Sequence, residues 1–277
     1  MTLAPPDADW LQRLEARLNQ APTHPRAALH LAWPDQGSAA CIGSIEPALA
    51  ARMAAAGLPL RETSETWRIE SPDAAGIAVT LQQMAQWLRA NDLIGAWRDE
   101  LLSVDDESGK TVSAIERAAV RPLGIATHAV HLIASDARGH VWVQQRAFDK
   151  ATDPGLWDTT MGGLMSVGES VAETLQRETW EEAGLRMTEL HDLTERGRFT
   201  VRRPLVEGYM VEHIHIVEAT LAPHLAPVNQ DGEVAAFECL SPAALRERLH
   251  ADAFTLEAAW ILADALRRRG GASRRPT

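Results

Sequence analysis

Residues 171–183 constrain the fold more than any other stretch. Ser170-x-x-Glu173 is a capping box, which predicts a helix beginning at Val171. Gly184 is the kind of residue that ends one. With Glu178 at zero and about 100° per residue, Val171, Leu175, Thr179, Ala172 and Ala183 fall between roughly 20° and 140°. That arc is the expected buried face. Glu182 lands at about 40° and Glu181 at about −60° on the same wheel. A merely solvated glutamate run would lie opposite the arc, yet Glu178 and Glu182 sit at its edge, one turn apart. Like charges at that spacing repel, and partial burial adds to the cost. Arg177 compensates one carboxylate, either Glu169 folded back from the loop or Glu181 at i+4. The remaining carboxylates call for divalent cations, Mg²⁺ or Mn²⁺, which suit carboxylate oxygens. Otherwise they need arginines from elsewhere in the fold. Helix geometry alone leaves both readings open.

The rest of the chain narrows the class. Its 277 residues are enough for two domains or one large one, and 45% hydrophobic with 23% charged residues is an ordinary globular balance. A net charge of −11 argues against a general nucleic-acid surface. An anionic ligand would need local arginines or metal ions. Cys41 and Cys239 are far apart, which argues against a disulfide framework or a zinc site. The start MTLAPPDADW lacks the pattern of a signal peptide, and no apolar run reaches the roughly 18 residues of a membrane span. The expectation is a cytoplasmic protein with no membrane partner.

Residues 8–19 read as an amphipathic helix, 28–33 as a strand, 46–56 as a helix stopping at Gly57, 66–70 as a strand and 77–90 as a helix. The polar stretch 105–110, DDESGK, reads as a break. It divides a small α+β unit, 1–110, from a second unit, 111–277. There 123–134 and 140–145 read as paired strands across the 137–139 turn. Further strands are expected at 156–161, 196–201, 209–221 and 233–240. Helices are expected at 241–249 and 254–270, with a frayed tail beyond.

Gly163, five residues, Glu169, seven residues, then Arg177-Glu178-x-x-Glu181-Glu182-x-Gly184-Leu185 resembles the Nudix box. The position after Arg-Glu, usually apolar, is Thr179, whose methyl can pack and whose hydroxyl can bond back to a carbonyl. The resemblance implies an α/β/α sandwich with a mixed sheet and Mg²⁺-dependent hydrolysis of a small-molecule diphosphate. It implies that Glu178, Glu181 and Glu182 bind metal or activate water, with the Gly163 carbonyl completing the coordination. Arg177 and Glu169 would hold the loop against the helix. Glu233 would supply one more carboxylate, with Glu238 as a competitor, or is a charge at a strand edge.

Residues 95–104, 123–132, 153–163 and 254–270 resemble one Nudix branch. Its members carry an N-terminal extension of unassigned function, and its fungal relatives are joined to thiamine pyrophosphokinase. This implies thiamine diphosphate or its oxidised derivatives as substrate. The alternatives are an ADP-ribose-type substrate, an isopentenyl diphosphate isomerase, whose chemistry needs a cysteine in the site, and a non-catalytic binding module. Arg146 and Lys150 are candidate phosphate contacts, or surface charges. Trp67, Trp97, Trp142 and Trp157 are candidates to stack on a heterocycle, or core residues. His213 and His215 share a strand face as a candidate metal pair, or as packing. Two uses stay open for the N-terminal unit: covering the substrate's organic half, or forming a homodimer surface.

Overall fold

The computed structural model describes residues 8–32, 39–64, 66–71 and 73–272. Trp33, expected to end a strand, and the tail from 273 lie outside them. In chain order the elements are α1 (Ala8–Leu18), β1 (Ala27–Ala32), β2 (Ala39–Ile45), α2 (Pro47–Ala55), β3 (Leu60–Glu62), β4 (Thr66–Glu70), α3 (Ala74–Ala90), β5 (Leu101–Asp105), β6 (Thr111–Glu116), β7 (Ala126–Ser135), β8 (Val141–Arg146), β9 (Trp157–Asp158), β10 (Met161–Leu164), α4 (Val171–Ala183), β11 (Leu190–Leu205), β12 (Gly208–Leu221), β13 (Val234–Leu240), α5 (Pro242–His250) and α6 (Leu256–Ala272). No described helix is long and apolar enough to cross a membrane.

The central sheet has the order β11-β12-β7-β8-β13, with β10 on β7 and β9 on β8. It is mixed: β7 and β12 run parallel, while β11–β12, β7–β10 and β8–β13 are antiparallel. The expected β7–β8 hairpin pairs at only one place, Ser135 with Val141. Beyond it β8 diverges toward β13 and β9, while β10 runs along β7 from Leu132 to Ala129. Alternation along the strands separates two cores. On one face Val130, Leu132, Val217 and Ala219 pack against Leu175 and Ala183 of α4. On the other, Ala129, Ile133, Val141, Val143 and Ile214 pack against α5 and α6. This is the expected α/β/α sandwich.

The N-terminal sheet, β2-β1-β4-β3, forms a third core with α2 and α3. Two observations bear on the expected division at residue 110. The stretch 106–110 is the turn of the β5–β6 hairpin, in which Asp106 Oδ1 accepts from the Ser108 and Lys110 amides at 2.9 and 3.0 Å. A boundary there would cut a paired hairpin, and the N-terminal core runs on through Ile115, Val120 and Leu123 to Ile125. Helix α1 instead joins the α6 side of the sandwich: Leu14 and Leu18 are buried in that core, and Gln20 N–H donates to Arg202 O at 2.7 Å.

Candidate active site

Helix α4 carries the acids, and its sequence fixes its ends. Ser170 and Glu173 form the reciprocal capping box, and Gly184 closes the helix at φ +63°. Thr174, Leu175, Thr179, Glu182 and Ala183 are buried. Ala172, expected on the buried arc, is exposed. Thr179 is buried as expected, but its hydroxyl finds no hydrogen-bond partner, so the expected bond back to a carbonyl does not form.

Strand β10 brings the backbone to these acids. A β-carbon on Gly163 would lie 2.0 Å from Glu178 Cδ, and one on Gly162 would lie 2.8 Å from the His131 ring. Both positions therefore need glycine for close approach. Arg177 is the clasp between loop and helix. Its Nε and Nη2 donate to the two oxygens of Glu169 at 2.7 and 2.8 Å, and Nη2 also reaches Leu164 O at 3.1 Å. Its Nη1 meets Glu178 at 2.7 Å and Glu181 at 3.3 Å. Arg177 thus serves three carboxylates, not one. Its hydrogen bonds hold the Glu169 carboxyl down at about 2, with the Ser166 amide and Thr174 hydroxyl assisting.

The other acids move the opposite way. Burial pushes Glu178 up despite Arg177. Glu182 is 4% exposed, and burial followed by the nearby Glu178 charge pushes it to about 8. Its Oε2 accepts from Gln144 Nε2 at 2.9 Å and Gly162 N–H at 3.0 Å.

Glu178, Glu182, Gly162 and Gly163 form one wall of a cleft with about 910 Å³ of empty space, its solvent-open part included. Arg146, Lys150 and Glu233 also line it, as do Arg117, Arg121, Asp158 and Glu212. Arg146 is held by Thr152 O at 3.0 Å and faces Asp158 at 3.5 Å. Lys150 pairs with Glu233. Burial alone would raise Glu233, but Lys150, with Arg117 and Arg146 beyond, brings it below the usual carboxylate range. Its competitor Glu238 is turned to Arg248 at 2.7 Å.

Glu181 does not line the cleft; its contact is Arg177. Trp157 does not line it either. The Asp158 side chain takes that face, while Trp157 packs on the α5–α6 core with the Arg248 guanidinium 4.3 Å from its ring. Trp67, Trp97 and Trp142 also belong to cores. His213 and His215 gather with His128, ring centres 5.1 and 5.9 Å from it.

Sequence reasoning passed over Gln144, Asp158, Arg117 and Glu212. For Gln144 a signal exists in the alternation of β8: Val141 and Val143 enter one core, which turns Gln144 to the α4 face.

Residues 126–259 match the family model described as the NUDIX domain. An uncharacterised Nudix hydrolase of Pseudomonas aeruginosa is 33% identical over 105 residues, 38% of this chain and 60% of that protein. An isopentenyl-diphosphate Delta-isomerase of Streptomyces coelicolor is 33% identical over 165 residues, 58% of this chain and 80% of that protein. A crystal structure of DR0079 from Deinococcus radiodurans covers 61% of this chain and 98% of its own, at 22% identity and a TM-score of 0.48. The domain match takes in the strands and the helix that build the cleft, and it identifies residues 126–259 as a Nudix domain.

Proposed function

We propose that the chain hydrolyses a diphosphate bond in a small organic molecule with the help of a divalent cation. The substrate proposed is thiamine diphosphate or an oxidised derivative, and the products are the monophosphate and phosphate. The observation that carries the hydrolase reading is the meeting of Glu178 and Glu182 with the glycine backbone in one cleft with Arg146 and Lys150. The donor set fits a hard cation. It consists of carboxylates under mutual repulsion, and the buried Gln144 Oε1 beside them has no hydrogen-bond partner. Glu178, Glu182 and the Gly163 carbonyl would hold Mg²⁺ or Mn²⁺, and Glu181, outside the cleft lining, would join them by exchanging Arg177 for the ion. The ion, when bound, would neutralise diphosphate oxygens and lower the pKa of a bound water. Arg146 and Lys150 orient the phosphates. Glu233, kept ionised by Lys150, takes the proton of the attacking water. Arg177 and Glu169 fix the loop so that Gly163 stays against Glu178.

The substrate choice is supported by the branch resemblance of residues 95–104, 123–132, 153–163 and 254–270. The similarity to isopentenyl-diphosphate isomerases favours a second reading, isomerisation. Against it stands the place of the cysteines, since that chemistry needs a cysteine in the site. Neither lines the cleft. Cys41 lies on β2 of the N-terminal sheet, and Cys239 sits on β13 beside Asp136 and His140.

A panel of thiamine diphosphate, ADP-ribose and isopentenyl diphosphate, each with Mg²⁺, tests both readings. Phosphate from thiamine diphosphate, lost in Glu182→Gln with the fold intact, is the expected result. Dimethylallyl diphosphate from isopentenyl diphosphate, without phosphate release, would establish the isomerase instead.

A further inference from the structure

We propose that the cavity between the N-terminal unit and the central sheet receives the organic half of the substrate, and that Glu212 selects a cationic group there. This rests on the diphosphatase reading of the neighbouring acids and narrows its substrate class.

Two cavities meet at this place. One holds the acids of α4. The other, about 810 Å³ of empty space including its open side, has Gly95, Ala96 and Ala118 of the N-terminal unit in its walls. Arg117, Arg121, Leu164, Met210 and Glu212 line both, so they form one continuous channel. Strand register gives the distance between its ends. Gly162 lies opposite His131 on β7, and Glu212 lies opposite Thr127. Four residues of strand separate those levels, on the order of 13 Å. That is room for a diphosphate at one end and a ring at the other.

Charge then says what the ring should carry. The cations near the junction are already paired: Arg117 with Glu100 at 2.7 Å, Arg121 with Glu207 at 2.6 Å, and Arg203 with Glu257 at 3.1 Å. Arg98, in the wall of the second cavity, stands exposed to solvent. Glu212 is half-buried, and its hydrogen bond comes from the Thr127 hydroxyl at 3.0 Å. It makes no ion pair among the described residues, and the Glu257 carboxylate adds to the negative field around it. A partly desolvated carboxylate without a counter-ion is unfavourable, and a cation from the ligand relieves it. No aromatic side chain lines the second cavity among the described residues, so recognition there is by charge rather than stacking. A neutral prenyl tail or an adenine would leave Glu212 uncompensated. The ligand class is therefore a diphosphate ester bearing a quaternary or protonated ring nitrogen.

The test uses the full chain and Glu212→Gln, which keeps the side-chain size and an acceptor for Thr127. Calorimetry with thiamine monophosphate and metal-free protein reads the subsite directly. Hydrolysis of thiamine diphosphate and isopentenyl diphosphate with Mg²⁺ gives a selectivity ratio. The substitution should weaken monophosphate binding, and lower that ratio, by about tenfold or more, as loss of a bond to a charged group would. Unchanged binding, or an equal loss on both substrates, overturns the proposal. Charge-dependent binding in a wild-type chain that hydrolyses no diphosphate would sink the hydrolase reading and keep the subsite. If Glu212→Gln does not fold by thermal melting, Glu212→Asp decides. Retained preference for the cationic ligand supports charge recognition, and loss of that preference in a folded Asp variant opposes it.

Discussion

Gln144 and Glu182 meet inside the protein, amide Nε2 to carboxylate Oε2 at 2.9 Å, between strand β8 and helix α4. This bond and the Gly162 amide stabilise the charged form of an acid that burial otherwise pushes to about 8. Gln144→Leu keeps the volume and removes the donor. Glu182 then holds its proton more firmly, and a cation must compete harder for the site. Activity should fall by about 10- to 100-fold, the usual cost of losing a partner behind a metal ligand. Half-saturating Mg²⁺ should rise with it. A Mg²⁺ titration of thiamine diphosphate hydrolysis checks this, and an unmoved half-saturation would mean that Gln144 does not hold Glu182.

Gly163 faces Glu178 so closely that a β-carbon would stand 2.0 Å from its Cδ and 2.2 Å from Oε1. In Gly163→Ala the glutamate must swing away, because β10 is pinned by its pairing to β7. Overpacking of this kind costs about 1–3 kcal/mol of stability. Hydrolysis should fall far more than a stability loss of that size explains. Urea unfolding and steady-state kinetics on the same sample separate the two. Near-normal turnover would show that Glu178 can work from another position.

Arg177 holds both oxygens of Glu169 through a planar fork. Arg177→Lys keeps the charge but loses the fork and its additional reach to Leu164 O and Glu181. The pair is partly solvated, so the stability loss expected is about 1–2 kcal/mol, at the low end for charged hydrogen bonds. The Glu169 carboxyl, held at about 2, contributes stability present above its ordinary value of 4.5 and lost as pH falls toward 2. The variant should therefore lose less on acidification between those values than the wild type. Thermal melts across that range measure the difference, and parallel curves would contradict it.

Local chemistry made some of this legible and left the rest hidden. Helix α4 follows from Ser170, Glu173 and Gly184, whose capping acts within one turn of the chain. The Glu169–Arg177 clasp follows because both residues belong to one loop and helix. Strand β2, AACIGSI, was invisible: small residues and glycine carry little strand preference, and pairing with β1 creates the strand. The turn chemistry of Asp106 to Lys110 suits a linker as well as a hairpin, and only the pairing of 101–105 with 111–116 distinguishes them. Trp157 and Asp158 are neighbours on a strand and so point to opposite faces, which puts Asp158 in the cleft and the expected stacking residue Trp157 outside it. Glu212 and Arg117 could not be found locally. They enter the cleft because β12 lies beside β7 and the N-terminal unit closes over them, contacts made by distant parts of the sequence.

His213 carries a pH dependence whose sign the structure fixes. Its ring lies 5.1 Å from that of His128, which is 5.9 Å from that of His215, and its Nδ1 meets the Thr200 hydroxyl at 2.8 Å. Burial first, then the positive charges of His128, Arg198, Arg202 and His215, push His213 down to about 4. His215 moves down for the same leading reason. Asp105, 2.9 Å from His128 Nε2, and Glu195, which acts on His215, are acids facing the group. In the unfolded chain His213 takes up its proton near 6.5. Between these values the unfolded state binds a proton that the fold refuses. The contribution of His213 is therefore complete above about 6.5 and is lost as pH falls through about 4. Melting temperature should decline as pH is lowered from 7 to 5. His213→Asn, which can still bond Thr200 but does not titrate, should flatten that decline. If the variant and the wild type lose stability in parallel, the charge crowding at this face does not oppose protonation, and the sensitivity belongs to other groups.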